Sequence, residues 1–143
     1  SRIMSLKDGS KKTSKSELSD LSRINLTDDK DAIVNKIKKA KTDPLPIPSS
    51  IEELNQRLEA RNLLGIYSSL NNSSLEKTVE TFSGKNFSEF KNQLSDLLVK
   101  KIEPISLEIK KLLNDQTYLD KILLEGFYLN KVDHLKVFLF REI

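Results

Sequence analysis

The feature that most constrains this chain is a long stretch of helical periodicity in its second half. Across residues 88–114, apolar side chains recur every three or four positions, which places them on one face of a helix. A helix with one apolar face must bury it against other elements, so the pattern predicts a helical bundle. Pro104 lies inside the pattern and is predicted to kink or split the helix. The predicted face consists of Phe90, Leu94, Leu97, Leu98, Ile102, Ile105, Ile109 and Leu112.

Shorter helical patterns surround this stretch. One begins near residue 28, where Thr27 or Asp28 is the predicted N-cap and Ile33 and Ile37 point inward. Two helices are predicted within residues 50–70, one within 74–82 and a last one within 117–140. Three prolines within residues 43–48 predict a linker. Strand signals are absent after Leu6, so the helical part is predicted to be an all-α bundle.

The composition excludes several kinds of site. The chain has no cysteine, which rules out disulfides, cysteine-based zinc sites and thiol catalysis. Its single histidine, His134, rules out a multi-histidine metal site, and no metal site is predicted. Apolar runs stay far below the ~20 residues that span a bilayer, so no membrane partner is expected.

The positive charge is concentrated in the first third of the chain. Residues 1–48 contain 11 Lys and Arg against 7 Asp and Glu, whereas the remaining residues contain 13 against 14. A phosphate-rich partner is therefore expected near the amino end. A solvated lysine face is the alternative that the composition leaves open.

The residues best suited to chemistry lie in one short polar loop. Lys12 and Lys15 are three residues apart, and the hydroxyls of Thr13, Ser14 and Ser16 lie between and beside them. Lysines neutralise phosphate oxygens as point charges, and hydroxyl and backbone N–H groups complete the shell. The loop is thus suited to wrapping a polyphosphate, although a disordered Lys/Ser tail would have the same composition.

Residues 12–16 resemble the Lys-Met-Ser-Lys-Ser signature of the class I aminoacyl-tRNA synthetases, with Thr13 in place of Met. The flanking text, Arg2-Ile3-Met4-Ser5-Leu6 and Lys11-Lys12, is similar to that of the tryptophan-specific family. Residues 22–28, 36–43 and 62–67 extend the resemblance, which fades after about residue 126. The tyrosyl-specific family, which usually has a Phe-Gly variant of the signature, is the closest rival.

This resemblance implies two structural parts. Residues 1–27 would be the signature loop and last strand end of a class I nucleotide-binding catalytic domain. Residues 28–143 would be an all-α helical bundle of the anticodon-binding type. The nucleotide-binding sheet and the tryptophan pocket of the family have no counterpart here, so we expect the C-terminal portion of a longer protein, inactive alone. A free-standing helical RNA-binding or interaction module is the alternative.

The resemblance also implies the activity and its partners. The parent enzyme would activate tryptophan with ATP, together with Mg²⁺, and transfer it to tRNA(Trp). It would be a cytoplasmic or organellar homodimer, with tryptophan bound by the missing amino-terminal part. Lys12 and Lys15 would be the catalytic residues of this chain. The ATP-binding set would be Ile3, Lys12, Thr13, Ser14, Lys15 and Ser16, with Ile3 against the adenine.

A second basic cluster lies on the helix that begins near residue 28. The cluster lies beside the apolar positions Ile37 and Ala40 and consists of Lys36, Lys38, Lys39 and Lys41. We expect the first three of these lysines to point outward or to flank the buried face. The functional interpretation is contact with tRNA phosphates. The alternative is a solvated face whose lysines complement the helix dipole.

Overall fold

Helices dominate the architecture of the chain. The computed structural model describes residues 3–12 and 19–115, which contain no extended strand, only an isolated antiparallel bridge between Met4 and Lys12. The predicted last helix and His134 lie outside the described residues. The helices are a short 3₁₀ helix (Asp20–Ser22), α1 (Lys30–Lys39), α2 (Ile51–Asn55), α3 (Leu58–Leu70), α4 (Leu75–Phe82) and α5 (Phe87–Leu113).

Helix α1 packs mainly against α5 through fully buried Ile33 and Ile37. Its N-cap is Asp29, whose side chain accepts a hydrogen bond from the N–H of Ala32 at 2.8 Å. The prediction of Thr27 or Asp28 as the N-cap is therefore wrong. Asp28 instead turns its carboxylate toward the ammonium group of Lys36, 2.7 Å away.

The core lies where α3, α4 and α5 meet. The predicted faces are confirmed there, since Leu63, Leu94 and Leu98 are almost completely shielded from solvent. Aromatic rings fill the centre, with the centroids of Phe82 and Phe90 4.9 Å apart in an edge-to-face arrangement. Tyr67 of α3 packs against both rings, with centroid distances of 4.9 Å to Phe82 and 5.8 Å to Phe90, which helps to orient α3, the helix that borders the candidate site.

Helix α5 runs unbroken past Pro104, so the predicted split does not occur. Proline removes one N–H from the helix and thereby leaves the carbonyl of Lys100 without its usual partner. Both residues are exposed, so water can reach that carbonyl and the helix tolerates the loss.

The proline-rich segment at residues 43–48 is not helical, as predicted, but it is firmly attached. Arg57 donates to the carboxylate of Asp43 and to the carbonyl of Pro46, the latter at 2.8 Å. Ile47 is buried and exchanges backbone hydrogen bonds of 2.9 Å with Gly84 and Lys85. The left-handed φ of 76° at Gly84, just after α4, allows this exchange.

The residues before α1 belong to the same core as the helices. Leu6, Ile24 and Leu26 are buried in one cluster with Ile33 and Ile37. The division between residues 27 and 28 stays a prediction. Within the described ranges, no helix is both long and apolar enough to cross a membrane.

Candidate functional site

The chain makes a tight reversal immediately before the signature loop. Met4 pairs with Lys12 across an antiparallel bridge, and the N–H of Ser5 donates to the carbonyl of Lys11 at 2.8 Å. The turn between them is closed by Asp8, whose carbonyl accepts from the N–H of Lys11 at 3.1 Å. This reversal fixes the backbone of Lys12, whose side chain is exposed to solvent.

The carboxylate of Asp8 stabilises the same turn. It accepts hydrogen bonds from the hydroxyl of Ser10 at 2.6 Å and from its N–H at 3.0 Å. These bonds, with a smaller contribution from nearby Lys11, lower the pKa of Asp8 below its ordinary value. Asp8 is therefore ionised at neutral pH and offsets part of the local positive charge.

Two residues attach this reversal to α3. Asn62 accepts from the N–H of Met4 at 2.9 Å and donates to its carbonyl at 3.0 Å. Gly9 lies against the start of the helix, where a Cβ atom would be 2.7 Å from the nitrogen of Glu59 and 2.8 Å from the carbonyl carbon of Leu58. Only glycine permits this close approach.

A cleft of about 360 Å³ lies between the reversal and α3. Ile3 lines it and is half-buried, in the position next to Met4, the partner of Lys12. Lys12 is not among the residues that line the cleft, but it pairs with Met4, which is. Of the predicted ATP-binding residues, the structure describes Ile3 and Lys12, which lie on the two sides of this reversal. Thr13, Ser14, Lys15 and Ser16 lie outside the described residues. The remaining lining residues are Met4, Gly9, Leu58, Arg61, Asn62, Gly65, Ile66, Ser69 and Leu75.

The chain that follows the signature loop returns to residues 6–7, which precede it. The N–H of Leu6 donates to the carbonyl of Ser22 at 2.8 Å, and Lys7 donates to the hydroxyl of Ser19 at 3.3 Å. The chain after the loop is therefore held beside the chain before it.

The lysines of the second basic cluster have different environments. Lys38 and Lys39 are exposed, and Lys41 is exposed beside Glu59, 3.4 Å away. Lys36 is buried, so the expectation that it points outward or flanks the apolar face is wrong. Two carboxylates draw it inward, because its ammonium group lies 2.7 Å from Asp28 and 2.8 Å from Asp20.

Sequence reasoning did not identify Asn62, Gly9 and Asp20 as residues that shape this site. Asn62 had a recognisable signal, since it is a polar residue that directly precedes the apolar pair Leu63 and Leu64. Gly9 was visible only as a turn residue, because its contact with α3 depends on the tertiary structure. In the part of the chain that the structure describes, no three carboxylate or imidazole side chains cluster as metal ligands would.

Comparison with known proteins identifies the family. Residues 1–102 match the family described as tRNA synthetases class I (W and Y). A tryptophan–tRNA ligase of Mesorhizobium japonicum is 53% identical over 125 residues, which is 87% of this chain and 35% of that protein. The tryptophan–tRNA ligase of Rickettsia felis is 50% identical over 125 residues, covering 87% of this chain and 37% of that protein.

The fold has a relative among solved structures. The crystal structure of tryptophanyl-tRNA synthetase from Mycoplasma pneumoniae aligns with 96% of this chain and 41% of that chain, with a TM-score of 0.68 and 24% sequence identity. The chain spans about a third of the length of the curated relatives it matches. The resemblance to the tryptophan-specific family is confirmed, and the chain belongs to the class I tRNA synthetases that comprise the tryptophan and tyrosine enzymes.

Proposed function

We propose that this chain supplies the ATP-phosphate-binding loop and the tRNA-recognising helices of a tryptophan–tRNA ligase. The observation that carries the proposal is the backbone pairing of Met4 with Lys12 beside the cleft that Ile3 lines. Met4 lines the cleft and pairs with Lys12, so an exposed lysine lies opposite a residue of a partly apolar cavity wall. Such an arrangement suits a nucleotide with a planar base and a charged phosphate tail. The named relatives are tryptophan–tRNA ligases, which supports tryptophan as the amino acid.

The reaction has two steps in this proposal. The carboxylate of tryptophan attacks the α-phosphate of ATP, which forms tryptophanyl-adenylate and releases pyrophosphate. The terminal adenosine of tRNA(Trp) then attacks the adenylate carbonyl and releases AMP. Lys12 and Lys15 neutralise the phosphate charge that develops in the first step, and the hydroxyls of Thr13, Ser14 and Ser16 complete the phosphate shell. Ile3 packs against the adenine.

Mg²⁺ would accompany ATP in this scheme and would supply positive charge to its phosphates. Tryptophan binds in a part of the ligase outside this chain. The parent enzyme acts as a homodimer in the cytoplasm or an organellar matrix, as the family resemblance implies.

The helices of residues 28–143 recognise tRNA in this proposal, as an anticodon-binding bundle. Lys38 and Lys39 offer two exposed cations in the last turn of α1, where tRNA phosphates can approach. Lys41, just beyond the helix, is exposed as well and shares its charge with Glu59, 3.4 Å away. Lys36 is left out of this surface, because its ammonium group is already neutralised by two carboxylates.

The test is tryptophan-dependent pyrophosphate exchange in the complete ligase that carries this segment. We expect Lys12→Ala to slow exchange roughly 10²–10³-fold, because the transition state loses a cation. The affinity for tryptophan should change little. Lys77→Ala removes an exposed lysine from α4 and is the matched control. Exchange at the wild-type rate in the Lys12 variant would refute the proposed role of the loop.

A second measurement tests the division of labour. The 143-residue chain alone should have a strongly helical circular dichroism spectrum and no tryptophan-dependent exchange activity. Measurable exchange by this chain would contradict the placement of the tryptophan site elsewhere.

A further inference from the structure

A buried lysine connects α1 to the chain that follows the signature loop. The side chain of Lys36 is only 4% exposed, and its ammonium group contacts Asp28 at 2.7 Å and Asp20 at 2.8 Å. Removing an ammonium ion from water is costly unless a carboxylate compensates for the lost hydration. Lys36 therefore depends on at least one of these two partners.

The two carboxylates are not equivalent. Asp28 is itself nearly buried, with 10% of its side chain exposed, and also accepts from the N–H of Asn25 at 2.8 Å. It can neutralise Lys36 on its own. Asp20 is 62% exposed, so its carboxylate stays in contact with water despite the ion pair. Because Asp28 already compensates for the burial of Lys36, the contact between Lys36 and Asp20 has another role.

The position of Asp20 suggests what its contact achieves. Asp20 begins the 3₁₀ helix Asp20–Ser22, which is the first helix among the described residues that follow the signature loop. Asn25 adds a second bond to this carboxylate, at 2.6 Å. The hydrogen bond from Lys36, followed by that from Asn25, lowers the pKa of Asp20, which keeps it ionised at neutral pH. Two residues later, the carbonyl of Ser22 accepts the hydrogen bond from Leu6.

We propose that Lys36 is a positioning residue for the ATP-phosphate-binding loop and that it acts through Asp20. Through this ion pair α1 holds the chain just after the loop, while the pairing of Met4 with Lys12 holds the chain just before it. The two contacts set the positions of the residues at which the loop begins and ends, and thereby determine where its lysines can reach the phosphates. This inference rests on the function proposed above.

The test uses Asp20→Asn in the complete ligase, because this variant removes the negative charge from the contact, which weakens the link, and leaves Lys36 paired with Asp28. We expect kcat for pyrophosphate exchange, measured per active site by titration, to fall about tenfold. The KM for tryptophan and the Tm should stay close to the wild-type values. Asp20→Glu, which retains a carboxylate, should recover most of the lost rate.

The matched control is Asp31→Asn, which makes the same change of charge at an exposed position in the first turn of α1. It should leave kcat unchanged. An Asp20→Asn enzyme with wild-type kcat, or one that loses no more rate than the Asp31 variant, would overturn the inference. Lys12→Ala separates the two proposals: if that variant loses activity and Asp20→Asn does not, only the positioning role is wrong.

Discussion

Asn62 satisfies both polar groups of the Met4 backbone from the middle of α3. Its carboxamide oxygen accepts from the Met4 N–H at 2.9 Å, and its amide nitrogen donates to the Met4 carbonyl at 3.0 Å. The side chain thus makes the two hydrogen bonds to Met4 that a neighbouring strand would make in a sheet. No regular sheet is needed in this part of the chain to hold residues 3–12.

Replacing Asn62 by alanine should destabilise the protein. Both backbone groups of Met4 lose their partner in a partly buried setting, so we expect the free energy of unfolding to fall by about 1–3 kcal/mol. Urea unfolding followed by circular dichroism measures the change. Asn92→Ala, at an exposed position of α5, is the control and should have little effect. Equal stabilities for the two variants would contradict the role given to Asn62.

Gly9→Ala should be destabilising by about 1–3 kcal/mol, because the added methyl group meets backbone atoms of Leu58 and Glu59 that cannot move independently of α3. The control is Gly65→Ala in α3, where an added Cβ atom has no neighbour within 4 Å. That variant should be stabilised by about 0.5–1 kcal/mol, since alanine favours helices over glycine. Thermal unfolding of both proteins checks the opposite signs.

The ion pair between Asp43 and Arg57 should make stability depend on pH. The hydrogen bond from Arg57 lowers the pKa of Asp43 below its ordinary value of 3.8. The resulting stability is present above the unfolded-state pKa and is lost as pH falls through the lowered folded-state pKa. We expect Asp43→Asn to cost about 1–3 kcal/mol at neutral pH.

The difference between wild type and Asp43→Asn should shrink below about pH 4, where the carboxylate becomes protonated. Chemical unfolding across a pH series measures it. Asp96→Asn, at an exposed position of α5, should show no such convergence. A cost for Asp43→Asn that persists unchanged in strong acid would show that shape, and not charge, holds the proline-rich segment.

The exposed lysines of α1 should contribute to tRNA binding by the complete ligase. We expect Lys38→Ala combined with Lys39→Ala to weaken binding and to reduce the slope of log K against log salt by roughly 0.7–0.9 for each lost phosphate contact. Filter binding at several salt concentrations measures both effects. The control replaces Lys100 and Lys101, an exposed pair on α5. Identical slopes for the two double variants would argue against a specific role for α1.

Much of the helical fold was predictable, because the apolar period of each helix is local information. The pattern of residues 88–114 anticipates α5 to within one residue at each end. The N-cap of α1 was harder to predict, because three consecutive residues have side chains that can accept a hydrogen bond from the first turn of a helix. These residues are Thr27, Asp28 and Asp29. Lys36 takes Asp28 out of this set by pairing with its carboxylate, and that contact joins residues eight positions apart, more than two helical turns.

The chemistry of the candidate site was predictable from the sequence, but the contacts that hold it against α3 were not. The signature residues carry a recognisable order along the chain, whereas the contact of Asn62 with Met4 joins residues 58 positions apart. The burial of Lys36 shows the same limit. The apolar pattern of a helix predicts an inward-facing position only where the residue is apolar. Lys36, beside Ile37, is a charged residue that faces inward because Asp20 and Asp28 compensate for its burial.

The backbone of Leu6 has partners from two later parts of the chain: its N–H donates to Ser22, and its carbonyl accepts from Lys41 at 2.8 Å. Synthesis on the ribosome runs from the amino end, so residues 3–12 emerge before every segment that holds them. They must wait for α1, and then for Asn62 of α3, before their position is set. Residues 3–12 are therefore made before the segments that hold them, and their position is set only after Asn62 has been made.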